Sequence, residues 1–317
     1  MAKILITRRL PDTVLDRANA THDVTLRDVE DALSVEEARA ALMEYDAILP
    51  TLGDALGAAA FEGLTPRTKI LANFGVGFNH IDADAAKAVG LTVTNTPGAV
   101  TDATADIAMT LIFSLCRRAG EGERLVRSGG WTGWQPTQYL GFHVTGAHVG
   151  IIGMGRIGKA IAKRCHAGFD MRVSYFNRSE VAEPGVPAER IVDLHDLLNT
   201  VDIAVLAVPA TPDTRHLIDA DALKALGPKG YLVNIARGDV IDEAALVAAL
   251  KGSAIAGAGL DVYEAEPRLE PGLADCENAV LLPHLGTAAL PVRTAMGMMA
   301  LDNLDAVLNG QPPLNPV

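Results

Sequence analysis

The sequence predicts an α/β protein built from doubly wound parallel sheets. Short apolar runs of strand character alternate with Ala- and Leu-rich helical patterns along the whole chain, which is typical of parallel sheets. A glycine turn at Gly153–Gly158 (GMGRIG) follows the apolar run 148–152 and precedes a helical stretch at 159–164. This strand–turn–helix context is the one in which such a turn binds a dinucleotide. We therefore expect at least one sheet to hold a dinucleotide cofactor.

Size and charge limit the domain count and the partners. A chain of 317 residues, 49% of them hydrophobic, has enough apolar material for about two cores. The net charge of −12 disfavours nucleic acid and anionic membranes, because both bind positive surfaces. No run approaches the ~18 apolar residues that a membrane span needs. Cys116, Cys165 and Cys276 are too few and too scattered for a disulfide framework or a zinc site, so we expect core thiols, no bound metal and a cytoplasmic location.

The first part of the chain predicts a small unit without a glycine turn. Its strands are expected at Lys3–Thr7, Asp46–Leu49, Lys69–Asn73 and Leu91–Asn95. A break at Pro97-Gly98 precedes a long helix. The helix is indicated by apolar residues spaced i, i+3, i+4 and i+7, which are Ala108, Leu111, Ile112 and Leu115.

The second part predicts the nucleotide-binding sheet. Its six strands are expected at Val149–Ile152, Val173–Phe176, Ile203–Val208, Tyr231–Ile235, Gly257–Leu260 and Val280–Leu282. After Pro283 only one helical stretch remains, at about Thr287–Leu308. It is too short to form a domain alone, so we expect it to pack on the first unit.

Three polar residues after these strands could act together on one carbonyl group. His284 follows the end of a strand, where open α/β sheets place ligands, and an imidazole can deliver a proton near neutral pH. Glu266 can hold the other imidazole nitrogen and favour the charged ring. Arg237 offers a planar fork to carboxylate and carbonyl oxygens. Taken singly, each could also be an ordinary surface, loop or ion-pair residue.

Four longer motifs carry a family resemblance over almost the whole chain. They are GIIGMGRIGKAIA at 150–162, LVNIARGDVID at 232–242, GAGLDVYEAEP at 257–267 and LLPHLGTA at 281–288. With them the sequence resembles the D-isomer-specific 2-hydroxyacid dehydrogenases. The resemblance implies two Rossmann-like domains with the active site in the cleft between them, and a homodimer. It further implies that a substrate domain, 1–98 and 286–317, is interrupted by a dinucleotide-binding domain at 99–285.

Within that family, NFGVGFNHID at 73–82 and the WTGWQP loop at 131–136 are most similar to the glyoxylate and hydroxypyruvate reductases. The resemblance implies that the Val76 and Gly77 amides bind the substrate carboxylate together with Arg237 and His284. Trp131 and Trp134 could border the substrate, border a dimer partner, or pack within the chain.

The cofactor is expected to contact the glycine turn and the loops that follow the neighbouring strands. The residues concerned are Gly153, Gly155, Arg156, Ile157, Gly158, Asn177, Arg178, Ser179, Val208, Pro209, Thr214, Ile235, Ala236, Asp261 and Gly286. By family resemblance Asp261 accepts a hydrogen bond from the nicotinamide carboxamide, although an Asp at a strand end could instead cap a loop.

The second strand of the nucleotide unit predicts a preference for NADPH over NADH. In an NAD site this strand usually ends in Asp or Glu, which binds the ribose hydroxyls and repels a 2′-phosphate. Here Asn177, Arg178 and Ser179 follow instead. Arg178 can form charge-assisted hydrogen bonds to a phosphate. NAD use stays open, because Arg178 could also be a solvated cation that stacks on adenine.

Other members of the family fit less well. An enzyme for lactate-type or bulkier keto acids that uses NADH is the main alternative, and a dinucleotide-sensing binding protein without catalytic activity is a remote one. A formate dehydrogenase is disfavoured because that branch carries Gln where Glu266 stands. A phosphoglycerate dehydrogenase is less attractive because little chain follows the last helix.

Overall fold

The computed structural model describes residues 1–317, which form two compact units. The first unit comprises Met1–Val100 and Thr287–Val317, and the second comprises Thr101–Gly286. No helix combines the length and the apolar composition that crossing a membrane would require. The assignment of substrate and cofactor roles to domains 1–98 with 286–317 and 99–285 stays a prediction.

Strands and helices alternate along most of the chain. The strands are β1 (Lys3–Ile6), β2 (Asp23–Leu26), β3 (Ala47–Leu49), β4 (Ile70–Ala72), β5 (Thr92–Thr94), β6 (His148–Ile152), β7 (Arg172–Phe176), β8 (Glu189–Arg190), β9 (Ile203–Leu206), β10 (Tyr231–Asn234), β11 (Gly257–Leu260) and β12 (Ala279–Leu281). The helices are α1 (Asp12–Thr21), α2 (Val35–Glu44), α3 (Ala58–Phe61), α4 (Ala83–Ala88), α5 (Thr101–Cys116), α6 (Ala119–Arg127), α7 (Arg156–Phe169), α8 (Leu194–Thr200), α9 (Ala220–Leu226), α10 (Glu243–Lys251) and α11 (Leu290–Leu308).

The first unit is a five-stranded sheet in the order β2-β1-β3-β4-β5, with every pair parallel. Helices α2, α3 and α4 cover one face, while α1 and the C-terminal helix α11 cover the other. Val14 of α1 and Leu301 of α11 are buried against Ile4 and Ile6 of β1. The expected return of the last helix to the first unit is therefore confirmed.

The second unit is a seven-stranded sheet in the order β12-β11-β10-β9-β6-β7-β8, again with every pair parallel. The strand order reverses between β6 and β9, which is the switch point where open α/β sheets bind ligands. The helix predicted after Pro97-Gly98 is α5. Its Ala108, Leu111, Ile112 and Leu115 are buried, and they pack in the same apolar core as β6 and β7.

The fold class predicted from the sequence is confirmed, and two strands are additions to it. β2 lies at the edge of the first sheet and has a half-exposed pattern, so it lacks the continuous apolar run of the central strands. β8 has only two residues and forms the edge of the second sheet. Several predicted strand ends differ from the structure by one residue, and the largest difference is in β9, where the strand expected to reach Val208 ends at Leu206 and leaves Val208 in a loop.

All three cysteines are free and buried, as predicted. Burial raises the pKa of the Cys116 and Cys165 thiols to about 12, so both stay protonated. Cys165 donates to the Met109 sulfur at 3.6 Å in the core between α5 and α7. The cytoplasmic location stays a prediction.

Candidate active site

The glycine turn after β6 has the geometry that a dinucleotide site needs. Gly153 has φ +100°, and a Cβ there would lie 2.6 Å from the Ala207 carbonyl oxygen. A Cβ on Gly158 would lie 2.1 Å from the Gly153 carbonyl oxygen, so only glycine lets the helix approach the strand. A Cβ on Gly155 would meet nothing within 4 Å. Gly155 is the N-cap residue of α7 and provides no side-chain cap, so the first N–H groups of the helix, those of Arg156 and Ile157, have no capping side chain.

The loop after β7 lies beside this turn, because the Gly153 N–H donates to the Phe176 carbonyl at 3.0 Å. Asn177 Nδ2 donates to the Ser179 carbonyl at 2.8 Å, which engages one of its two amide hydrogens. Arg178 and Ser179 are exposed. No carboxylate lies within ion-pair distance of Arg178. The loop is therefore able to receive a negative group.

Two further loops contain residues that are predicted to contact the cofactor. Thr214 Oγ1 donates to the Pro209 carbonyl at 2.7 Å, which fixes the segment that follows Val208. After β10, Ile235 and Ala236 are buried. These loops follow β9 and β10 at the carboxyl edge of the same parallel sheet, where the glycine turn also lies.

Arg237 is the first polar side chain after β10. Its Nη1 donates to the Ala236 carbonyl at 2.7 Å, and Asn234 Nδ2 donates to the Arg237 carbonyl at 2.8 Å. Burial lowers the pKa of the guanidinium, and the negative charges of Glu266 and Asp239 oppose that shift. Arg237 is thus a positioned cation within the electrostatic reach of Glu266.

Glu266 and His284 form a hydrogen-bonded pair. His284 Nδ1 lies 2.9 Å from Glu266 Oε2, and the side chains are 31% and 30% exposed. Burial raises the pKa of Glu266, but the His284 hydrogen bond, the His284 charge and the Tyr263 N–H together bring it below its usual range. An ionised carboxylate only accepts, so Nδ1 carries a hydrogen and Nε2 is left for other partners. The structure thus brings together Arg237, Glu266 and His284, as the sequence predicts.

The loop that carries Glu266 is held by residues the sequence analysis did not single out. The Tyr263 hydroxyl donates to the Leu282 carbonyl at 2.9 Å, which ties this loop to the strand that leads to His284. The Tyr263 N–H donates to Glu266 Oε1 at 3.0 Å. Buried Glu243 accepts from the Glu264 N–H at 3.0 Å. The only sequence signal for this network is Tyr263, the aromatic residue within the motif VYEAEP.

Asp261 holds the loop after His284. Asp261 is 1% exposed, and its carboxylate accepts from the Leu285 N–H at 2.6 Å and the Gly286 N–H at 2.8 Å. Burial raises the pKa of Asp261, and these two backbone donors oppose the shift. The structure thus shows the loop-capping contact of Asp261, and its contact with a nicotinamide carboxamide stays a prediction.

In the first unit, the Gly75–Gly77 loop after β4 has its carbonyl groups tied down. Asn73 Nδ2 donates to the Gly75 and Gly77 carbonyls at 3.0 and 3.1 Å, and Asn95 Nδ2 donates to the Val76 carbonyl at 2.9 Å. In a trans peptide the N–H points opposite to the C=O. The Val76 and Gly77 N–H groups therefore face away from these asparagines, a layout suited to binding an anion.

Across the whole molecule, no group of three or more His, Cys, Asp or Glu side chains is arranged to hold a metal ion.

Comparison with known proteins agrees with this geometry. Residues 109–286 match the family model described as D-isomer specific 2-hydroxyacid dehydrogenase, NAD binding domain. The chain is 41% identical to a glyoxylate reductase of Pyrococcus horikoshii (98% of this chain, 94% of that one). It is 37% identical to a glycerate dehydrogenase of Hyphomicrobium methylovorum (97% and 96%). A structure of an NADPH-dependent glyoxylate/hydroxypyruvate reductase from Sinorhizobium meliloti, in complex with NADP and malonate, matches with TM-score 0.88 and 35% identity over 99% of this chain and 96% of that one.

The parallel sheet has a glycine turn of the dinucleotide-binding type, and a histidine–carboxylate pair and an arginine lie at its carboxyl edge. These features define a nicotinamide-dependent oxidoreductase. The family is equally clear from the matched residues and from the relatives that share almost the full length. The chain belongs to the D-isomer specific 2-hydroxyacid dehydrogenases.

Proposed function

We propose that the protein reduces glyoxylate and hydroxypyruvate to the corresponding 2-hydroxy acids with NADPH as the reductant. The observation that carries the proposal is the His284–Glu266 pair beside Arg237, at the edge of the sheet that bears the glycine turn. Relatives named glyoxylate reductase and glycerate dehydrogenase support the choice of small substrates. The resemblance at 73–82 and 131–136 supports it as well.

The residues have complementary tasks in this proposal. A bound reduced nicotinamide supplies the hydride that reaches the keto carbon. His284 Nε2 donates a proton to the keto oxygen, so that a neutral hydroxyl forms, while Glu266 on Nδ1 orients the ring and stabilises its positive charge. The Arg237 guanidinium binds the substrate's carboxylate and keto oxygens in two-point fashion. We propose the Val76 and Gly77 amides as further donors to the carboxylate.

A panel of keto acids assayed with NADPH and NADH tests the proposal. We expect glyoxylate or hydroxypyruvate to give the highest kcat/KM, and NADPH to be preferred. Phenylpyruvate exceeding both small acids by about tenfold would favour the enzyme for bulkier keto acids instead. An absence of reduction with every acid, despite measurable binding of the cofactor, would favour a binding protein.

The choice of cofactor rests on Arg178. Changing Arg178 to alanine is expected to lower kcat/KM for NADPH by about ten- to a hundredfold, which corresponds to the loss of a hydrogen bond to a charged group. The value for NADH should stay nearly constant, since it has no 2′-phosphate. Steady-state kinetics with both cofactors give the ratio, and equal losses for the two would contradict the assignment.

We also propose a homodimer in which the segment 119–146 contacts a second copy. Helix α6 has no buried residue, and the segment exposes several large apolar side chains, at 81% for Trp134 and 68% for Leu140. An exposed apolar patch of this kind marks an interaction surface. Sedimentation should give twice the 33.3 kDa of one chain, and Trp134→Ser with Leu140→Ser should shift it towards monomer. A wild-type monomer, or an unaffected variant, would contradict this surface.

A further inference from the structure

A second arginine lies against the loop proposed to receive the 2′-phosphate. Arg190 is in the edge strand β8, and it is paired in register with Tyr175 of β7. Its Nη2 donates to the Asn177 carbonyl and the Arg178 carbonyl, both at 3.2 Å. One guanidinium nitrogen thus fixes two consecutive peptide groups of the loop.

Fixing these carbonyls also orients the amides. In a trans peptide the N–H points away from the C=O, so the Arg178 and Ser179 N–H groups face away from Arg190. Neither N–H donates to another group of the chain. The Asn177 side chain closes the turn by donating to the Ser179 carbonyl. The loop therefore presents two adjacent backbone donors on the side opposite Arg190, an arrangement that binds anions.

The charge of Arg190 is not neutralised locally. Arg190 forms no ion pair with a carboxylate within 4.0 Å, and its Nε is buried without a hydrogen-bond partner. The exposed side chain of Arg178 is a second cation, and it belongs to the loop itself. A negative group bound to the outward amides could pair directly with the Arg178 side chain, whereas Arg190 lies on the other side of the two peptide groups.

We propose that Arg190 is a positioning residue for cofactor choice: it holds Asn177–Ser179 in the conformation that presents two amides and the Arg178 side chain to a 2′-phosphate. This inference rests on the proposed use of NADPH. It differs from the role of Arg178, because Arg190 acts through the backbone of the loop and does not touch the cofactor.

Calorimetry measures the binding of 2′,5′-ADP and of 5′-AMP without substrate or turnover. The ratio of the two affinities gives the contribution of the 2′-phosphate to binding. The variants are Arg190→Gln, Arg190→Lys and, as a matched control, Arg172→Gln at the opposite end of β7, where the side chain is exposed. We expect Arg190→Gln to weaken 2′,5′-ADP binding about tenfold and 5′-AMP binding less than about twofold. Arg190→Lys, which keeps the charge and a donor, should recover most of the loss, and Arg172→Gln should match the wild type.

The outcomes are distinct. If Arg190→Gln keeps the wild-type ratio of the two affinities, or weakens both ligands equally, Arg190 has only a structural role and the inference is overturned. If the wild type itself binds 2′,5′-ADP no better than 5′-AMP, the cofactor assignment fails and the inference with it. Thermal unfolding shows whether each variant folds. If Arg190→Gln does not fold, Arg190→Lys provides the test. We then expect its affinity for 2′,5′-ADP to fall about threefold while its affinity for 5′-AMP stays at the wild-type value. An unchanged ratio of the two affinities would overturn the inference.

Discussion

Replacing His284 by asparagine is expected to lower kcat about a hundredfold or more and to leave NADPH binding within a few-fold of the wild type. The variant removes the proposed proton donor without touching the glycine turn. It also preserves the backbone, because His284 has φ +53° and asparagine adopts this left-handed conformation more readily than most residues. Steady-state kinetics over a range of pH, together with quenching of protein fluorescence by the cofactor, measure the two effects separately.

The chain offers a matched control in His216. It too has a left-handed backbone, with φ +49°, and it too is paired with a glutamate, Glu264, at 3.0 Å. His216→Asn should leave kcat close to the wild-type value. Near wild-type turnover of the His284 variant across pH would exclude His284 as the acid.

In Glu266→Gln, whose neutral amide no longer stabilises a charged ring, the reduction rate should begin to fall at a lower pH.

Changing Gly238 to alanine is expected to lower kcat/KM about a hundredfold and to reduce the thermal midpoint by several degrees. A Cβ on Gly238 would lie 1.8 Å from the Tyr263 carbonyl carbon and 2.1 Å from the Glu264 nitrogen. These are backbone atoms, so the clash cannot be relieved by a side-chain rotation. Either the loop that carries Glu266 or the segment that carries Arg237 has to move.

Gly168→Ala provides the comparison in the same unit. Gly168 is exposed in α7, and a Cβ there meets nothing within 4 Å. This variant should keep full activity and gain up to about 1 kcal/mol, the usual helical advantage of alanine over glycine. Kinetics and thermal unfolding of both variants check the prediction. A Gly238→Ala enzyme with wild-type kinetics would mean that the spacing of the two loops does not matter for catalysis.

Features with a signal in neighbouring residues could be predicted from the sequence. The central strands carry continuous apolar runs, because both faces of a parallel sheet are buried, and they were predicted correctly. The edge strands β2 and β8 have no such run. The proximity of Arg237, Glu266 and His284 to one another could be predicted, because each follows the end of a strand at the same edge of one sheet.

The supporting contacts could not be predicted in the same way. The Tyr263 hydroxyl reaches a carbonyl 19 positions away in the sequence, and Arg190 reaches the Asn177 carbonyl 13 positions away. Hydrogen bonds of this kind depend on the three-dimensional distance between loops, and no spacing rule encodes that distance. Gly238 is similar, because its lack of a side chain gains meaning only once the backbone of Tyr263 is seen against it.

The return of α11 to the first unit has a consequence during synthesis of the chain. Ala300, Leu301 and Leu304 cover the face of the sheet formed by β1, β3 and β4, yet they leave the ribosome after the whole second unit. At ~5–20 residues per second, that delay lasts on the order of 10–40 s. During this interval one face of the N-terminal sheet has only α1 to cover it. The first unit therefore completes its core only after the second unit has been synthesised, and the apolar face that α11 covers stays open during that interval.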